Sequence, residues 1–166
     1  MNPTEHLIEQ LERLERENAE LKADNARLRV NHLGVYTRPA AEVEYERAAY
    51  TDEQYVVVWD VNYLKQANDA YGQPKVNEML AAAYAETRGE DVVFKFNIQS
   101  GDEYGAIIRG DPEGFIKHQT SALRSHGLDA IMAWLPLHPG DDLFAVCEQA
   151  MEQVTAAKHA RGIQSR

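Results

Sequence analysis

The sequence predicts an α+β domain built on a palm-like or ferredoxin-like sheet flanked by helices, preceded by a parallel dimeric coiled coil. Three observations predict it. Leucine recurs every seventh residue from Leu7 to Leu28. An unbroken β-branched and aromatic run, Tyr55-Val56-Val57-Val58-Trp59, ends on Asp60. Two further short apolar runs flank the acidic turn Ser100-Gly101-Asp102-Glu103 as the arms of a hairpin do, with helical patterns before and after them.

Residues 4 to 31 form the first unit. With Leu7, Leu14, Leu21 and Leu28 at d, the a positions fall on Leu11, Asn18, Asn25 and His32. Leucine at d over four heptads, flanked by charged residues such as Glu12, Arg13, Glu17 and Arg27, is a coiled-coil pattern. An asparagine at a is satisfied by its twin in a parallel pair, which favours two strands in one register. The expected assembly is a homodimer through residues 4–31, with Thr4 as the helix cap. The competing reading is one amphipathic helix docked on its own domain, whose apolar stripe is ordinarily wider than this seam. A DNA-binding zipper needs a basic helix ahead of the leucines, and no Lys or Arg precedes Leu7.

Residues 32 to 54 read as a connector, broken by Gly34 and Pro39, with a short helix over 40–50. The domain proper is expected over 55–166. The run 55–59 reads as a buried central strand. Residues 62 to 71 read as helical up to Gly72, and Pro74 suits the first turn of a helix running to about Thr87. Strands follow at 92–96 and 104–108, separated by the acidic turn. Residues 110 to 114 read as a loop, 115 to 126 as a helix and 130 to 135 as a strand. The last helix spans 141–158, capped by Asp141 or Asp142.

The composition narrows the function. The 166 residues carry a net charge of -10, which disfavours a nucleic-acid polymer as partner. It does not exclude a small phosphate ligand, because a metal ion and a few cations reverse a local field. No long apolar run or signal-peptide pattern stands in the chain, so no membrane insertion is expected. The single cysteine, Cys147, suits a reducing compartment, and a cytoplasmic location is expected. The six histidines show no metal-ligand spacing. Trp59, Trp134 and Cys147 read as packing residues.

Asp60 ends an apolar strand, where a charge is costly without a partner. Asp102 and Glu103 lead into another apolar strand. If the strands are neighbours, these carboxylates converge and repel unless a cation lies between them. Oxygen ligands of this kind suit Mg²⁺ (or Mn²⁺), which takes one or two carboxylates and completes its shell with phosphate and water. The other reading is ordinary turn acids.

The segment Asp60-Val61-Asn62-Tyr63-Leu64-Lys65-Gln66-Ala67-Asn68-Asp69-Ala70-Tyr71-Gly72 resembles the D-x-[DN]-x-[FL]-K-x-x-N-D-x-x-G segment of GGDEF domains, the diguanylate cyclases. Ser100-Gly101-Asp102-Glu103-Tyr104 resembles their signature turn, and Tyr36-Thr37-Arg38-Pro39 the start of their domain. The resemblance covers about residues 35 to 161. It implies a nucleotidyl cyclase sheet and the condensation of two GTP into cyclic di-GMP with release of pyrophosphate. By the same resemblance Asp60, Asp102 and the Val61 carbonyl would hold the metal, and Glu103 would assist at the metal or the attacking hydroxyl. Leu64, Lys65, Asn68, Asn77, Gly101, Lys158 and Arg161 would line the nucleotide site. Lys65 would neutralise phosphate, Asn68 would read the guanine edge, and Gly101 would admit a phosphate to its backbone.

The chain departs from the family pattern at several places. Ser100 replaces the first glycine of the signature. Gln73 and Val76 replace the usual histidine and glycine. Asn77 replaces an aspartate that accepts the guanine N–H groups, which removes a charge-assisted pair. Lys158 and Arg161 stand one residue closer than the family's basic pair. Arg88-Gly89-Glu90-Asp91 matches the R-x-x-D motif of the family's inhibitory product site, offset by three residues, so Arg88 and Asp91 are its candidates. Two functions stay open: an active cyclase, including one of altered base choice, or a catalytically inactive module that binds GTP or a cyclic dinucleotide.

Overall fold

The computed structural model describes residues 2–29, 31, 33–48, 53–87, 91–95 and 103–163. The first helix, α1 (Pro3–Arg29), is capped by Asn2 rather than by Thr4. The Glu5 amide donates to Asn2 Oδ1 at 2.8 Å and the Asn2 amide to Glu5 Oε2 at 3.1 Å, a reciprocal capping box. Pro3, with no amide hydrogen, fits the first helical position between them. Residues 2–22 are exposed throughout, and Leu7, Leu11, Leu14 and Leu21 are each more than half exposed. Over residues 2–22 the helix is therefore not docked on its own domain, against the alternative reading. His32, at the end of the heptad pattern, lies outside the described residues.

The segment expected as a connector contributes to the core. Asn31 closes a turn by accepting from the Leu33 and Val35 amides at 2.9 and 3.3 Å. Leu33 and Val35 are buried, and Tyr36 forms a parallel bridge to Phe94. The second helix, α2 (Arg38–Ala48), buries Ala41 and Tyr45.

Four strands follow: β1 (Gln54–Val61), β2 (Val92–Lys95), β3 (Glu103–Arg109) and β4 (Ala130–Leu137). They form one antiparallel sheet in the order β2-β3-β1-β4. Alternation along β1 and β3 divides their side chains between two faces. Val57, Trp59 and Val61 join Tyr104, Ala106 and Ile108 on one face. Three helices cover it: α3 (Leu64–Tyr71), α4 (Gln73–Ala85) and α5 (Pro112–Ser125). Val56, Val58 and Ile107 lie on the other face, with α2 and α6 (Leu143–Ala160) packed against it.

Several boundaries differ from expectation for local reasons. Helix α5 starts at Pro112, inside the expected loop, because proline suits that position. Asp142, not Asp141, caps α6, accepting from the Phe144 and Ala145 amides at 3.0 and 3.2 Å. Asp141 instead accepts from the His138 amide at 2.8 Å. The end of α6 is a Schellman motif: Gly162 has φ +71°, and the Ile163 amide reaches the Lys158 carbonyl at 2.9 Å. Among the described residues no helix is long and apolar enough to cross a membrane.

Candidate functional site

The site grows out of the parity of β1. Val56, Val58 and Asp60 alternate onto the α6 face, so the strand's last residue on that face is a carboxylate. In the β1–β3 ladder Asp60 lies directly opposite Glu103, and residues opposite each other project from the same face. Glu103 thus belongs to the strand rather than to the turn. From above comes α6. Its buried residues Leu143, Cys147, Ala150, Val154 and Lys158 recur at helical spacing, so a lysine ends an otherwise apolar stripe. Lys158 Nζ meets Asp60 Oδ2 at 3.2 Å, with the two side chains only 5 % and 17 % exposed.

Beyond β1 the chain turns sharply. The Asn62 amide donates to the Asp129 carbonyl at 2.7 Å, and Asn62 Nδ2 to Asp129 Oδ2 at 3.4 Å. Arg124 Nε holds the other Asp129 oxygen at 3.0 Å. Asn62 Oδ1 is buried with no hydrogen-bond partner among the described residues. Tyr63 adopts φ 56°, ψ 32°, a left-handed conformation costly for a residue with a Cβ. It precedes α3 without capping it by side chain. The Leu64 side chain is buried in the core, so only its backbone faces a ligand role. Lys65 is exposed, and Asn68 on α3 and Asn77 on α4 are half-buried. Gly72, at φ +83°, joins these two helices with a single residue between them.

The structure brings together Asp60, Glu103 and Lys158. Val61 is the last residue of β1, paired with Ala130. Arg161 is exposed at the end of α6. Asp91 is buried just ahead of β2. Gly101, Asp102 and Arg88 lie outside the described residues. A cleft of about 480 Å³ opens beside Glu103, lined also by Arg38, Phe144 and Glu148. The Arg38 guanidinium stacks 3.9 Å above the Phe144 ring there. Sequence reasoning met Arg38 and Asn62 within quoted segments but gave neither a role, and it missed the Asn62–Asp129–Arg124 chain, which joins residues far apart in sequence.

The donor set suits a hard divalent cation. Among the described residues no three carboxylate, imidazole or thiol groups form a cage. Mg²⁺ asks for less, one or two carboxylates with phosphate and water, and Asp60 with Glu103 offers two.

An antiparallel sheet with helices on both faces and facing carboxylates on its two central strands defines a palm-like α+β class. Within that class the chain has the fold of GGDEF domains. One similar structure is the coiled coil and GGDEF domain of DgcB from Caulobacter crescentus in complex with c-di-GMP, with TM-score 0.71 and 15 % identity, over 95 % of this chain and 94 % of that one. Another is the diguanylate cyclase SiaD from Pseudomonas aeruginosa in complex with its activator SiaC, with TM-score 0.68 and 18 % identity, over 95 % and 72 %. A third is a microbial GGDEF domain studied with cyclic di-GMP, with TM-score 0.65 and 19 % identity, over 83 % and 94 %. No protein-family model and no curated protein matches the chain by sequence.

Proposed function

We propose that the chain is a diguanylate cyclase, acting as a coiled-coil homodimer that condenses two GTP into cyclic di-GMP and two pyrophosphates. The observation that carries this reading is the meeting of Asp60, Glu103 and Lys158 at one end of a GGDEF-type sheet. The segment that follows Asp60 also resembles the family's own.

In this reading Asp60, Asp102 and the Val61 carbonyl hold Mg²⁺ (or Mn²⁺). The ion supplies Lewis-acid charge at a phosphoryl oxygen. The chain's own groups do the rest. The first amides of α3, at Leu64 and Lys65, have no side-chain cap and suit phosphate oxygens. Lys65, Lys158 and Arg161 balance the triphosphate charge, and Gly101 admits a phosphate to its backbone. Asn68 and Asn77 meet the guanine edge. Glu103 assists at the metal or in removing the 3′-hydroxyl proton. Each 3′-oxygen then bonds to the α-phosphorus of the other GTP as the bond to pyrophosphate breaks.

Each domain holds one nucleotide, so two must face each other. The exposed leucine seam of α1 supports pairing with a second copy, and tethering of this kind gives effective concentrations on the order of millimolar. The similarity to DgcB extends over 95 % of this chain, which includes most of α1. A cytosolic setting supplies the GTP. Asn77 favours a second reading, a non-catalytic module that binds GTP or cyclic dinucleotide. Purified protein incubated with GTP and Mg²⁺, with ATP in parallel, separates them by mass spectrometry. Cyclic di-GMP supports the enzyme; bound but unchanged GTP supports the module.

A further inference from the structure

We propose that Lys158 is a resident counter-cation for Asp60. A divalent ion and the Lys158 ammonium then compete for one carboxylate, and a triphosphate opens the site to metal by drawing the ammonium away. The proposal rests on the reading of Asp60 as a metal ligand.

Lys158 is the buried cation among the described residues; Lys65 and Arg161 are both exposed. A lysine taken out of water needs a counter-charge in the fold. Asp60 provides it at 3.2 Å. The position is fixed from both sides. Val154, one turn earlier, is in the core, and the Lys158 carbonyl is tied to the Ile163 amide at 2.9 Å. The backbone is thus anchored, while four methylenes leave the ammonium free to swing. A divalent ion on Asp60 would lie within a few ångströms of that ammonium, and the two repel. Moving the ammonium onto phosphate removes the repulsion and satisfies both charges. Metal and nucleotide must therefore favour each other's binding by the same factor. Metal alone should bind weakly.

The test measures Mn²⁺ binding to the full chain without nucleotide, by electron paramagnetic resonance. Lys158→Met keeps length and apolar stem but removes the charge. It should bind Mn²⁺ about tenfold or more tightly than the parent. Lys158→Arg, which keeps the charge, should stay as weak as the parent, and Asp60→Asn should lose the site. Equal or weaker binding by Lys158→Met, with Asp60→Asn still inactive in binding, overturns the counter-cation and leaves the metal role of Asp60 standing. Undiminished binding by Asp60→Asn removes the metal role and this proposal with it. A second measurement needs no destabilising variant: in the parent chain, Mg²⁺ should shift the Lys158 ¹³Cε resonance, identified by its loss in Lys158→Arg. A resonance unmoved at saturating Mg²⁺ overturns the proposal.

Discussion

Glu103 stands directly across from Asp60 in the β1–β3 ladder, so two carboxylates share one face at the point where α6 delivers Lys158. Like charges directly opposite on neighbouring strands weaken a sheet. Glu103→Gln keeps the size and removes the charge. Without divalent ions the variant should be more stable by about 0.2–1 kcal/mol. With Mg²⁺ the added stability should be smaller than in the parent. Thermal melts with and without Mg²⁺ measure both quantities, and an unchanged Mg²⁺ increment would remove Glu103 from the metal's surroundings.

In the proposed homodimer the leucines of α1 would pack across the seam. Leu14 and Leu21 are more than half exposed and pack on nothing in their own domain. Leu14→Glu with Leu21→Glu should therefore leave the melting of the domain unchanged while converting dimers to monomers. Sedimentation velocity reads the mass. A dimer that survives both changes refutes the seam.

Much of this architecture was legible locally. The run from Tyr55 to Trp59 is apolar at consecutive positions because both faces of β1 are covered, and parity then fixes which face Asp60 takes. The hairpin and the last helix were legible for similar reasons. What escaped was either a choice among equals or a long-range contact. Asn2 and Thr4 are both good caps, and Pro3 with Glu5 decides between them through backbone geometry. Leu33, Val35, Ala41 and Tyr45 are too scattered around Gly34 and Pro39 to mark a core segment by period, yet all are buried. The Lys158–Asp60 pair joins the two ends of the domain, and resemblance placed Lys158 near phosphate without revealing its carboxylate partner.

Gly105 is held by a close approach rather than by a turn. A Cβ at this position would come within 2.7 Å of the Phe94 ring, which lies across it on β2. Phe94 is itself fully buried and edge-on to Phe144. Gly105→Ala should destabilise the domain by about 1–3 kcal/mol, the usual cost of overpacking. Phe94→Leu in the same chain should recover part of that loss. Urea denaturation of the single and double variants measures the coupling.

Cys147 tests the tightness of the α6 face. Burial pushes its thiol up from 9.0 to about 12, with nearby Arg38 working the other way. The unfolded thiol therefore loses its proton first. As pH rises from about 9 towards 12 the unfolded state gains stability relative to the fold, at most about 1.4 kcal/mol per unit from this one group. The contribution is fully present below pH 9. Cys147→Ala should flatten that part of the curve, and the native thiol should react with a disulfide reagent only at the rate of opening. Rapid labelling at neutral pH would show a looser face than this.

Asn77 is the departure with the most direct bearing on ligand choice. It is half-buried on α4, joined to the Asn68-bearing α3 through Gly72 alone. An amide oxygen accepts from a guanine N–H, but a carboxylate accepts from two with charge assistance, roughly twice the strength per bond. If the guanine lies between these helices, Asn77→Asp should tighten GTP binding on the order of tenfold, or about 1.4 kcal/mol, and leave ATP binding unchanged or weaker. Isothermal titration with both nucleotides reads the difference directly. Equal gains for GTP and ATP would mean that residue 77 acts on the phosphates or on the fold, and the base would have to be read elsewhere.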